Sequence, residues 1–372
     1  MKALTRQHDV DLFTVHYGEA PHAGTDLPRM CRNIFQYELR KSQNTASRAW
    51  RCIAEDLPRV IEHFNSTETA ARAESRLQVC SYSMAAADEL CMAPYVKSFD
   101  GPRLIMRQKI DCLHFREVAS KQRWGKEKLL QLLEVQKLCR YERRTLGNFH
   151  AGVCCSESDA GVLRELNAGM PLTVIPNGVD FNYFTSQLGW SGPPTVLYIG
   201  TMNYYPNIDA VHYFFEAIYP HLKARVPEVR INVVGHNPPP EILNWAKFQG
   251  VQITGSVPDI RPYLKECHVC IVPLRLGGGT RLKIMESIAV GRPVVSTSVG
   301  AEGIGMKNRE HLMVADDPEL FAEHTAELLR NPELGRALIE KARPYVQANF
   351  SWSVLGEQFE AACRRLVESR SH

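Results

Sequence analysis

Short apolar runs alternate with longer amphipathic segments through the second half of the chain. Thr195–Ile199, Val229–Val234 and Val269–Val272 are apolar runs of strand length, and a glycine directly follows each of the first two. Between those two runs, Asn207–Arg225 repeats its apolar residues at the spacing of one helix face. Because parallel strands that are buried on both faces have continuous apolar sequences, this alternation predicts a doubly wound parallel sheet.

The same pattern predicts the other elements of this half. We expect strands at Val251–Thr254, Pro293–Thr297 and His311–Val314, and helices at Glu241–Phe248, Asp259–Leu264, Thr280–Val290, Glu319–Arg330, Glu333–Val346 and Trp352–Val367. Gly291 and Pro293 follow the third of these helices and are typical of a helix C-terminus. Ligands bind such sheets outside the carboxyl ends of the strands, where Gly200, Gly235 and Gly277–Gly279 are expected to lie.

The first half has a similar but less regular pattern. It predicts strands at Val10–Val15, Leu77–Ser81, Pro102–Asp111, Ala151–Cys155 and Leu172–Ile175, and a long helix from Phe115 to Arg144 that bends near Gly125. We therefore expect two Rossmann-like parallel-sheet domains, at 1–185 and 192–346, and a final helix at 350–370. The linker between them is placed at Phe181–Pro194, which contains Ser191-Gly192-Pro193-Pro194. Met1–His8 is similar to the tail of a helix, so the first domain is expected to lack its opening strand and loop.

Composition narrows the class of protein. A chain of 372 residues with 44% hydrophobic and 23% charged residues suits two globular domains of ordinary size. The 11 cysteines are scattered and odd in number, which argues against a disulfide framework and favours a reducing, cytoplasmic location. No apolar run reaches the roughly 20 residues that span a bilayer, and no secretory leader opens the sequence. The pI of 8.2 is below the range usual for nucleic-acid-binding domains, so no nucleic-acid partner is expected.

Positive charge is concentrated between residues 97 and 144. This stretch holds 13 Lys and Arg residues against 6 Asp and Glu residues, a net charge of +7. Basic and apolar side chains are interleaved here, at Arg123, Trp124, Lys126, Lys128, Leu129 and Leu130. Such a surface suits peripheral contact with an anionic membrane or with a phosphate-bearing acceptor. The alternative is the solvated face of a long helix.

Candidate binding chemistry centres on the segment Gly277-Gly278-Gly279-Thr280-Arg281-Leu282-Lys283, at the start of a predicted helix. Three glycines let the backbone approach a bulky ligand closely. The first turn of a helix has unpaired amides and about half a positive charge, to which Arg281 and Lys283 add two cations. Glu286 follows on the same face, where it can accept hydrogen bonds from sugar hydroxyls. The segment predicts a site for a nucleotide diphosphate, the alternative being an ordinary surface loop.

This region resembles the donor site of family 4 glycosyltransferases, which are retaining enzymes of the GT-B fold. The resemblance rests on Gly277–Val295 and extends to Asn177-Gly178-Val179-Asp180, Tyr198-Ile199-Gly200, Gly255-Ser256-Val257-Pro258-Asp259 and Phe350-Ser351-Trp352. It implies two Rossmann-like domains that face each other across a cleft, with the last helix crossing back to the first domain. It also implies that a nucleotide diphosphate sugar is the donor, that a glycan or lipid-linked molecule is the acceptor, and that no metal is needed. Such enzymes usually act in polysaccharide or cell-envelope synthesis.

The sequence departs from the common pattern of this family at the donor site. Gly278 stands where a glutamate is usual, and the residues after Gly200 lack the Arg and Lys that usually follow that strand. A branch of the family with the pattern Gly-Gly-Gly-Thr-Arg-x-Lys is similar, which suggests that Arg281 and Lys283 replace that pair as diphosphate ligands. The expected donor-site residues are Gly200, Thr201, Val257, Gly277, Gly278, Gly279, Thr280, Arg281, Lys283 and Glu286.

In the first half, Asp111-x-x-His114-x-x-Glu117 joins a predicted strand to the long helix. Similar enzymes often have a histidine here that faces the donor sugar, so His114 is a candidate catalytic residue and Asp111 a candidate to hold its ring. A histidine that caps or packs at the helix start is an equal alternative. Cys267-x-x-Cys270 has metal-like spacing, but structural zinc needs four ligands, so a core strand is favoured.

Three functions are compatible with these features. A glycosyltransferase is favoured over a nucleotide-sugar-binding protein without activity and over a sugar-nucleotide epimerase, which shares the two-domain plan. Neither a P-loop nor a G-x-G-x-x-G motif follows a predicted strand, so kinase-like and NAD-dependent activities gain little support.

Overall fold

A computed structural model of the chain describes residues 1–18, 26–39, 57–121, 124–186, 189, 192–202, 204–277 and 281–370. The chain divides into two compact units. Unit 1 comprises Met1–Pro176 and Gly356–His372, and unit 2 comprises Asn177–Leu355. The boundary therefore lies before the predicted linker, because Phe184 of that linker is buried in the core of unit 2.

Unit 1 contains two parallel sheets. Strands β1 (Asp11–His16) and β2 (Asn33–Glu38) form a two-stranded sheet. Strands β3 (Ala85–Asp88), β4 (Arg103–Arg107), β5 (Ala151–Cys154) and β6 (Leu172–Val174) form a four-stranded sheet in sequence order. The helices are α1 (Leu27–Met30), α2 (Arg59–Glu62), α3 (Thr67–Val79), α4 (Asp111–Lys121), α5 (Lys126–Leu146) and α6 (Glu157–Leu166), with 3-10 helices at Leu4–Arg6 and Leu90–Val96. None of the helices in the described part of either unit is long and apolar enough to cross a membrane.

Two predictions for unit 1 are wrong. Leu77–Ser81 is not a strand, because α3 extends to Val79 after the hydroxyl of Ser66 caps it by accepting a hydrogen bond from the backbone of Thr69 at 3.2 Å. The predicted long helix is two helices, α4 and α5, and Gly125 precedes the second with an extended backbone.

Unit 2 contains one six-stranded parallel sheet in the order β12-β11-β10-β7-β8-β9. Its strands are β7 (Thr195–Ile199), β8 (Arg230–Val234), β9 (Val251–Ile253), β10 (Val269–Val272), β11 (Val294–Ser296) and β12 (Met313–Val314). Its helices are α7 (Tyr205–Tyr213), α8 (Tyr219–Arg225), α9 (Pro240–Leu243), α10 (Arg261–Glu266), α11 (Leu282–Val290), α12 (Pro318–Arg330) and α13 (Pro332–Phe350). A π-helical turn at Phe214–Ile218 joins α7 to α8, and a 3-10 helix at Asn244–Lys247 follows α9. The strands predicted for this half are confirmed, with ends that differ by one or two residues.

The last helix, α14 (Trp352–Glu368), begins in unit 2 and ends in unit 1. Within unit 1 it packs against the start of the chain. The carboxylate of Glu360 lies 2.9 Å from the ring of His8, and a Cβ at Gly356 would lie 2.6 Å from the side chain of Ala3.

Candidate functional site

The strand order of unit 2 reverses between β7 and β10. From β7 the sheet grows through β8 to β9, whereas β10 pairs with the other edge of β7 and is followed by β11 and β12. In open parallel sheets this reversal makes a crevice at the carboxyl ends of the strands, where ligands bind. Gly200 begins the loop after β7, and Gly277 lies in the loop after β10. Gly200 and Gly277, two of the glycines singled out in the sequence, therefore lie at this switch point.

The loops after β7 and β10 contact each other. Gly277 has a φ of 103°, in the left-handed region, and a Cβ there would lie 3.4 Å from Pro206 and from the hydroxyl of Tyr204. Just before it, Arg275 donates two hydrogen bonds to the carboxylate of Asp209 in α7, at 2.6 and 3.1 Å. Arg275 and Gly277 therefore lie against the start of α7.

Close backbone packing explains the glycines after β7 and β8. A Cβ at Gly235 would lie 1.9 Å from the carbonyl oxygen of Gly200, which leaves no room for a side chain. A Cβ at Gly200 would lie 2.9 Å from the amide carbon of Asn207 and 3.0 Å from the hydroxyl of Tyr198. Gly200 thus brings the backbone directly against two polar side chains.

Arg281 is buried and joins two loops at the site. Its Nη2 donates to the carbonyl oxygen of Gly277 at 2.6 Å and lies 3.4 Å from that of Val299, in the loop after β11. Burial lowers the pKa of its guanidinium. Arg281 also occupies the N-cap position of α11 without a side-chain capping hydrogen bond. A cation therefore lies at a helix terminus whose own partial charge is positive.

The ammonium of Lys283 lies among neutral oxygen atoms. Its Nζ donates to Oδ1 of Asn207 at 3.0 Å, lies 3.4 Å from the hydroxyl of Tyr198, and is 4.6 Å from the centre of the tyrosine ring. Burial lowers the pKa of Lys283 to about 7, with Arg281 acting in the same direction and Glu286 against it. No carboxylate forms an ion pair with Lys283 in the part of the chain that the structure describes. A desolvated cation in such surroundings is stabilised when an anion binds.

Glu286 lies one turn beyond Lys283 in α11 and is partly buried. Burial raises the pKa of its carboxyl group, and the neighbouring Lys283 opposes that rise. Within the described ranges no hydrogen bond or ion pair engages this carboxylate. It can therefore accept hydrogen bonds from the hydroxyls of a ligand.

The other predicted donor-site residues are described in part. Gly278, Gly279 and Thr280 lie outside the described residues. Thr201 is exposed, and its carbonyl oxygen accepts a hydrogen bond from Nδ2 of Asn207 at 2.9 Å. Val257 is partly buried against the core of unit 2, after β9. The structure thus brings together Gly200, Thr201, Gly277, Arg281, Lys283 and Glu286 at the β7–β10 switch point, and places Val257 beyond the carboxyl end of β9.

Tyr198 and Asn207 are site residues that the sequence analysis missed. Tyr198 belongs to a strand that is otherwise apolar, and Asn207 stands at a predicted helix start, where asparagine commonly caps the helix. In the structure both side chains are buried and the tyrosine hydroxyl lies 3.0 Å from Oδ1 of Asn207. The sequence did contain one indication of this role, because Asn207 is a polar residue in the first turn of the helix that follows Gly200.

In unit 1, Asp111 belongs to a buried ionic cluster around Arg107, at the end of β4. Arg107 contacts the carboxylates of Glu89 at 2.8 Å, Asp111 at 2.9 Å, and Glu142. The second oxygen of Asp111 lies 3.6 Å from the ammonium of Lys109. Burial raises the pKa of both Glu89 and Glu142. Asp111 is thus engaged by two cations, which the sequence did not predict.

The predicted pair of Asp111 and His114 is described only in part. His114 belongs to the first turns of α4, but its side chain lies outside what the structure describes. The hypothesis that Asp111 holds the ring of His114 therefore stays a prediction.

Cys267 and Cys270 are both buried in unit 2, with their sulfur atoms 3.5 Å apart. The first sulfur also lies 3.4 Å from the carbonyl oxygen of Leu264. Across the described ranges, no group of three His, Cys, Asp or Glu residues is arranged to hold a metal ion. The cysteine pair is part of the packed core beside β10.

Residues 193–331 match the family model described as Glycosyl transferases group 1. The chain is also similar to an uncharacterized 44.6 kDa protein in the cps region of Klebsiella pneumoniae, with 25% identity over 163 residues. That similarity covers 42% of this chain and 42% of the Klebsiella protein, so the chain spans less than half the length of this curated relative. The family match therefore lies within unit 2.

The chain is similar in structure to sucrose-phosphate synthase from Thermosynechococcus elongatus, with a TM-score of 0.68 and 19% identity over 99% of this chain and 91% of that one. It is also similar to Anabaena HepE in complex with UDP and glucose, with a TM-score of 0.66 and 13% identity over 95% of this chain and 91% of that one. Both neighbours have the GT-B fold. The predicted fold class, two α/β units with parallel sheets of the GT-B type, is therefore confirmed.

Proposed function

We propose that this chain transfers a sugar from a nucleoside diphosphate sugar to a glycan or lipid-linked acceptor, with retention of the anomeric configuration. The observation that carries the proposal is the desolvated ammonium of Lys283, held by neutral oxygens at the switch point of a domain that matches group 1 glycosyl transferases. A cation in these surroundings favours an anion, and the adjacent helix N-terminus favours a phosphate group. The complex of HepE with UDP and glucose supports this class of donor.

Each residue of the donor site has a proposed role. Lys283 and Arg281 stabilise the negative charge that develops on the diphosphate as its bond to the sugar breaks, together with the first amides of α11. Glu286 accepts hydrogen bonds from hydroxyls of the ribose or the sugar. Gly277 lets the loop backbone approach the diphosphate closely. His114 orients the sugar or the acceptor hydroxyl, and we assign no protein nucleophile and no metal.

The proposed acceptor belongs to polysaccharide or cell-envelope synthesis. The similarity to a protein in the cps region of Klebsiella pneumoniae supports this assignment. We propose that catalysis takes place on the cytoplasmic side, where nucleotide sugars are made.

We also propose that α5 brings unit 1 to an anionic membrane. Trp124, two residues before α5, is 82% exposed, and within the helix Leu129 is 59% exposed and Arg140 is also exposed. The prediction that Lys128 belongs to this surface is wrong, because its side chain is buried and its ammonium lies 3.3 Å from the carbonyl oxygen of Ser120 and 4.7 Å from the ring of Trp124. Exposed apolar and basic side chains of this kind suit the headgroup region.

Co-sedimentation with vesicles tests the membrane proposal. We expect wild-type protein to bind phosphatidylglycerol vesicles in preference to phosphatidylcholine vesicles, and Trp124→Ala with Leu129→Ala to weaken that binding. Leu243→Ala, at an exposed leucine of unit 2, is the matched control. Equal binding of the double variant and wild type would contradict the proposed contact.

Calorimetric titration with UDP-, GDP- and ADP-glucose tests the donor site. We expect one donor to bind, and Arg281→Ala with Lys283→Ala to weaken that binding by at least about tenfold, because a charge-assisted contact is worth more than about 1.4 kcal/mol. Arg336→Ala in α13 is the control, since its side chain is exposed. Unchanged affinity in the double variant would remove the roles proposed for both cations, and no binding of any donor would contradict the proposed function.

Product analysis separates the transferase from its two alternatives. A transferase changes the donor into a glycoside only when an acceptor is present, whereas an epimerase changes the donor alone. A protein that binds the donor and turns over neither mixture is a binding protein. NMR of the glycoside tests retention, because an inverted anomeric centre would contradict it.

A further inference from the structure

A buried polar network surrounds the ammonium of Lys283 on the side of β7 and α7. Oδ1 of Asn207 accepts hydrogen bonds from Lys283 and from the hydroxyl of Tyr198, both at 3.0 Å. Nδ2 of the same amide donates to the carbonyl oxygen of Thr201 at 2.9 Å. Asn207 is 8% exposed and Tyr198 is 2% exposed, so water contributes little to this network. The two ends of the amide therefore have different partners, which fixes its orientation.

We propose that Asn207 is a positioning residue for donor binding, which holds the ammonium of Lys283 at the switch point through a neutral oxygen and so leaves its charge available to the diphosphate. The inference rests on the proposed function of this site.

The neutrality of the oxygen is the essential feature. A carboxylate at position 207 has nearly the same shape as the amide and places an oxygen at the same distance from the ammonium. It also neutralises the charge of Lys283 and favours its protonated form. A diphosphate then has to compete with an internal ion pair. If Asn207 served only to pack the loop, the charge of its oxygen would have no such consequence.

The pH dependence of binding reports on this role. Three charged or titratable groups face Lys283: Arg281 at the N-cap of α11, Glu286 within α11, and Tyr198 in β7. From α7 the neutral Asn207 faces the lysine, whereas Asp209 pairs with Arg275. Burial raises the pKa of Tyr198 above its usual range, so it stays protonated in mild alkali. Lys283 is therefore the group that changes charge above neutral pH, and donor affinity in wild type is expected to fall as the pH rises.

Calorimetry at pH values from about 5 to about 9 tests the proposal, with whichever of UDP-, GDP- and ADP-glucose binds wild type most tightly. We expect Asn207→Asp to weaken binding by at least about tenfold near neutral pH and to remove the fall in affinity above it, because the carboxylate keeps Lys283 protonated. Asn207→Leu removes the acceptor without adding charge, so its fall in affinity is expected at lower pH than in wild type. Asn244→Asp, the same change at an exposed position after α9, is expected to behave as wild type.

Two results would overturn the inference. One is wild-type affinity in Asn207→Asp. The other is a wild-type pH profile in both Asn207 variants, which is the result expected from a purely structural role. If those variants do not fold, Tyr198→Phe tests the same point, because it removes one hydroxyl near Lys283. We expect the fall in donor affinity to occur at lower pH in this variant than in wild type. An unchanged dependence of donor affinity on pH would again contradict the inference. If wild type binds none of the donors, the proposed function itself fails, which is a different result.

Discussion

Replacing Lys283 with methionine is expected to stabilise unit 2 near neutral pH and to lose that advantage in alkali. The pKa of Lys283 is lowered from 10.5 to about 7 in the folded chain, mainly by burial. Between these values the unfolded chain keeps the proton that the folded chain has released. Because the unfolded state then binds more protons, the free energy of unfolding of wild type rises with pH. Methionine has a similar length and no proton to release, so the variant lacks this rise.

The size of the effect follows from the linkage relation. One proton of difference between the folded and unfolded states changes the free energy of unfolding by about 1.4 kcal/mol per pH unit. Lys283 is partly exposed, so water reduces the cost of its charge. We expect the advantage of Lys283→Met over wild type to shrink by about 2 kcal/mol between about pH 7 and about pH 9.

Urea unfolding in a phosphate-free buffer measures this difference. The ring centres of Trp245 and Phe215 are 5.0 Å apart within unit 2, so the contribution of Trp245 to the tryptophan fluorescence changes when that unit unfolds. Lys341→Met, at an exposed lysine of α13, controls for the loss of a lysine and is expected to show no pH-dependent change relative to wild type. A stability difference between Lys283→Met and wild type that is the same at every pH would refute the reasoning.

Two further substitutions test the backbone packing beside the donor site and the buried ionic cluster of unit 1. Gly235→Ala pushes a Cβ against the carbonyl of Gly200, so urea unfolding is expected to show a loss of about 1–3 kcal/mol, whereas Gly161→Ala meets nothing within 4 Å and serves as the control. Arg107→Met leaves buried carboxylates without their cation, and we expect a loss of about 3–5 kcal/mol near neutral pH. The loss in free energy of unfolding should be smaller near pH 5, because burial already raises the pKa of Glu142 and a protonated carboxyl needs no cation. Equal losses at both pH values would contradict this account.

The fold of unit 2 could be predicted because the apolar positions in its sequence are the positions that are buried in the structure. All four residues of β10 are apolar and all are buried, as expected for a central parallel strand. The helix α11 ends where Gly291 adopts a φ of 93°, and its amide donates back to the last turn. Such local signals need no knowledge of the rest of the chain.

Unit 1 was harder to predict because its strands carry weaker signals. The strand β3 consists of Ala85-Ala86-Ala87-Asp88, whose small side chains produce little contrast between buried and exposed positions. Leu77–Ser81 is more apolar than β3, so the sequence pattern predicted a strand there instead. Local apolarity was therefore a poor guide where the sheet is built from small residues.

The candidate site shows the same division between local and distant information. The glycine segment and the cations Arg281 and Lys283 stand together in the sequence and could be identified there. The partners of Lys283 are 76 and 85 residues away, at Asn207 and Tyr198. Only the pairing of β7 with β10 brings them to the lysine, so no local pattern could reveal them.

The central claim is that the ammonium of Lys283 binds the diphosphate of a nucleotide sugar at the β7–β10 switch point. The most direct test of this claim is the number of protons that the protein takes up when the donor binds. Calorimetric titration near pH 8 measures this number when it is repeated in buffers with different enthalpies of ionisation. Because the pKa of Lys283 is about 7 in the free protein and an adjacent anion raises it, we predict uptake of most of one proton by wild type and none by Lys283→Met. Binding of the donor without proton uptake, or with the same uptake in both proteins, would contradict the claim.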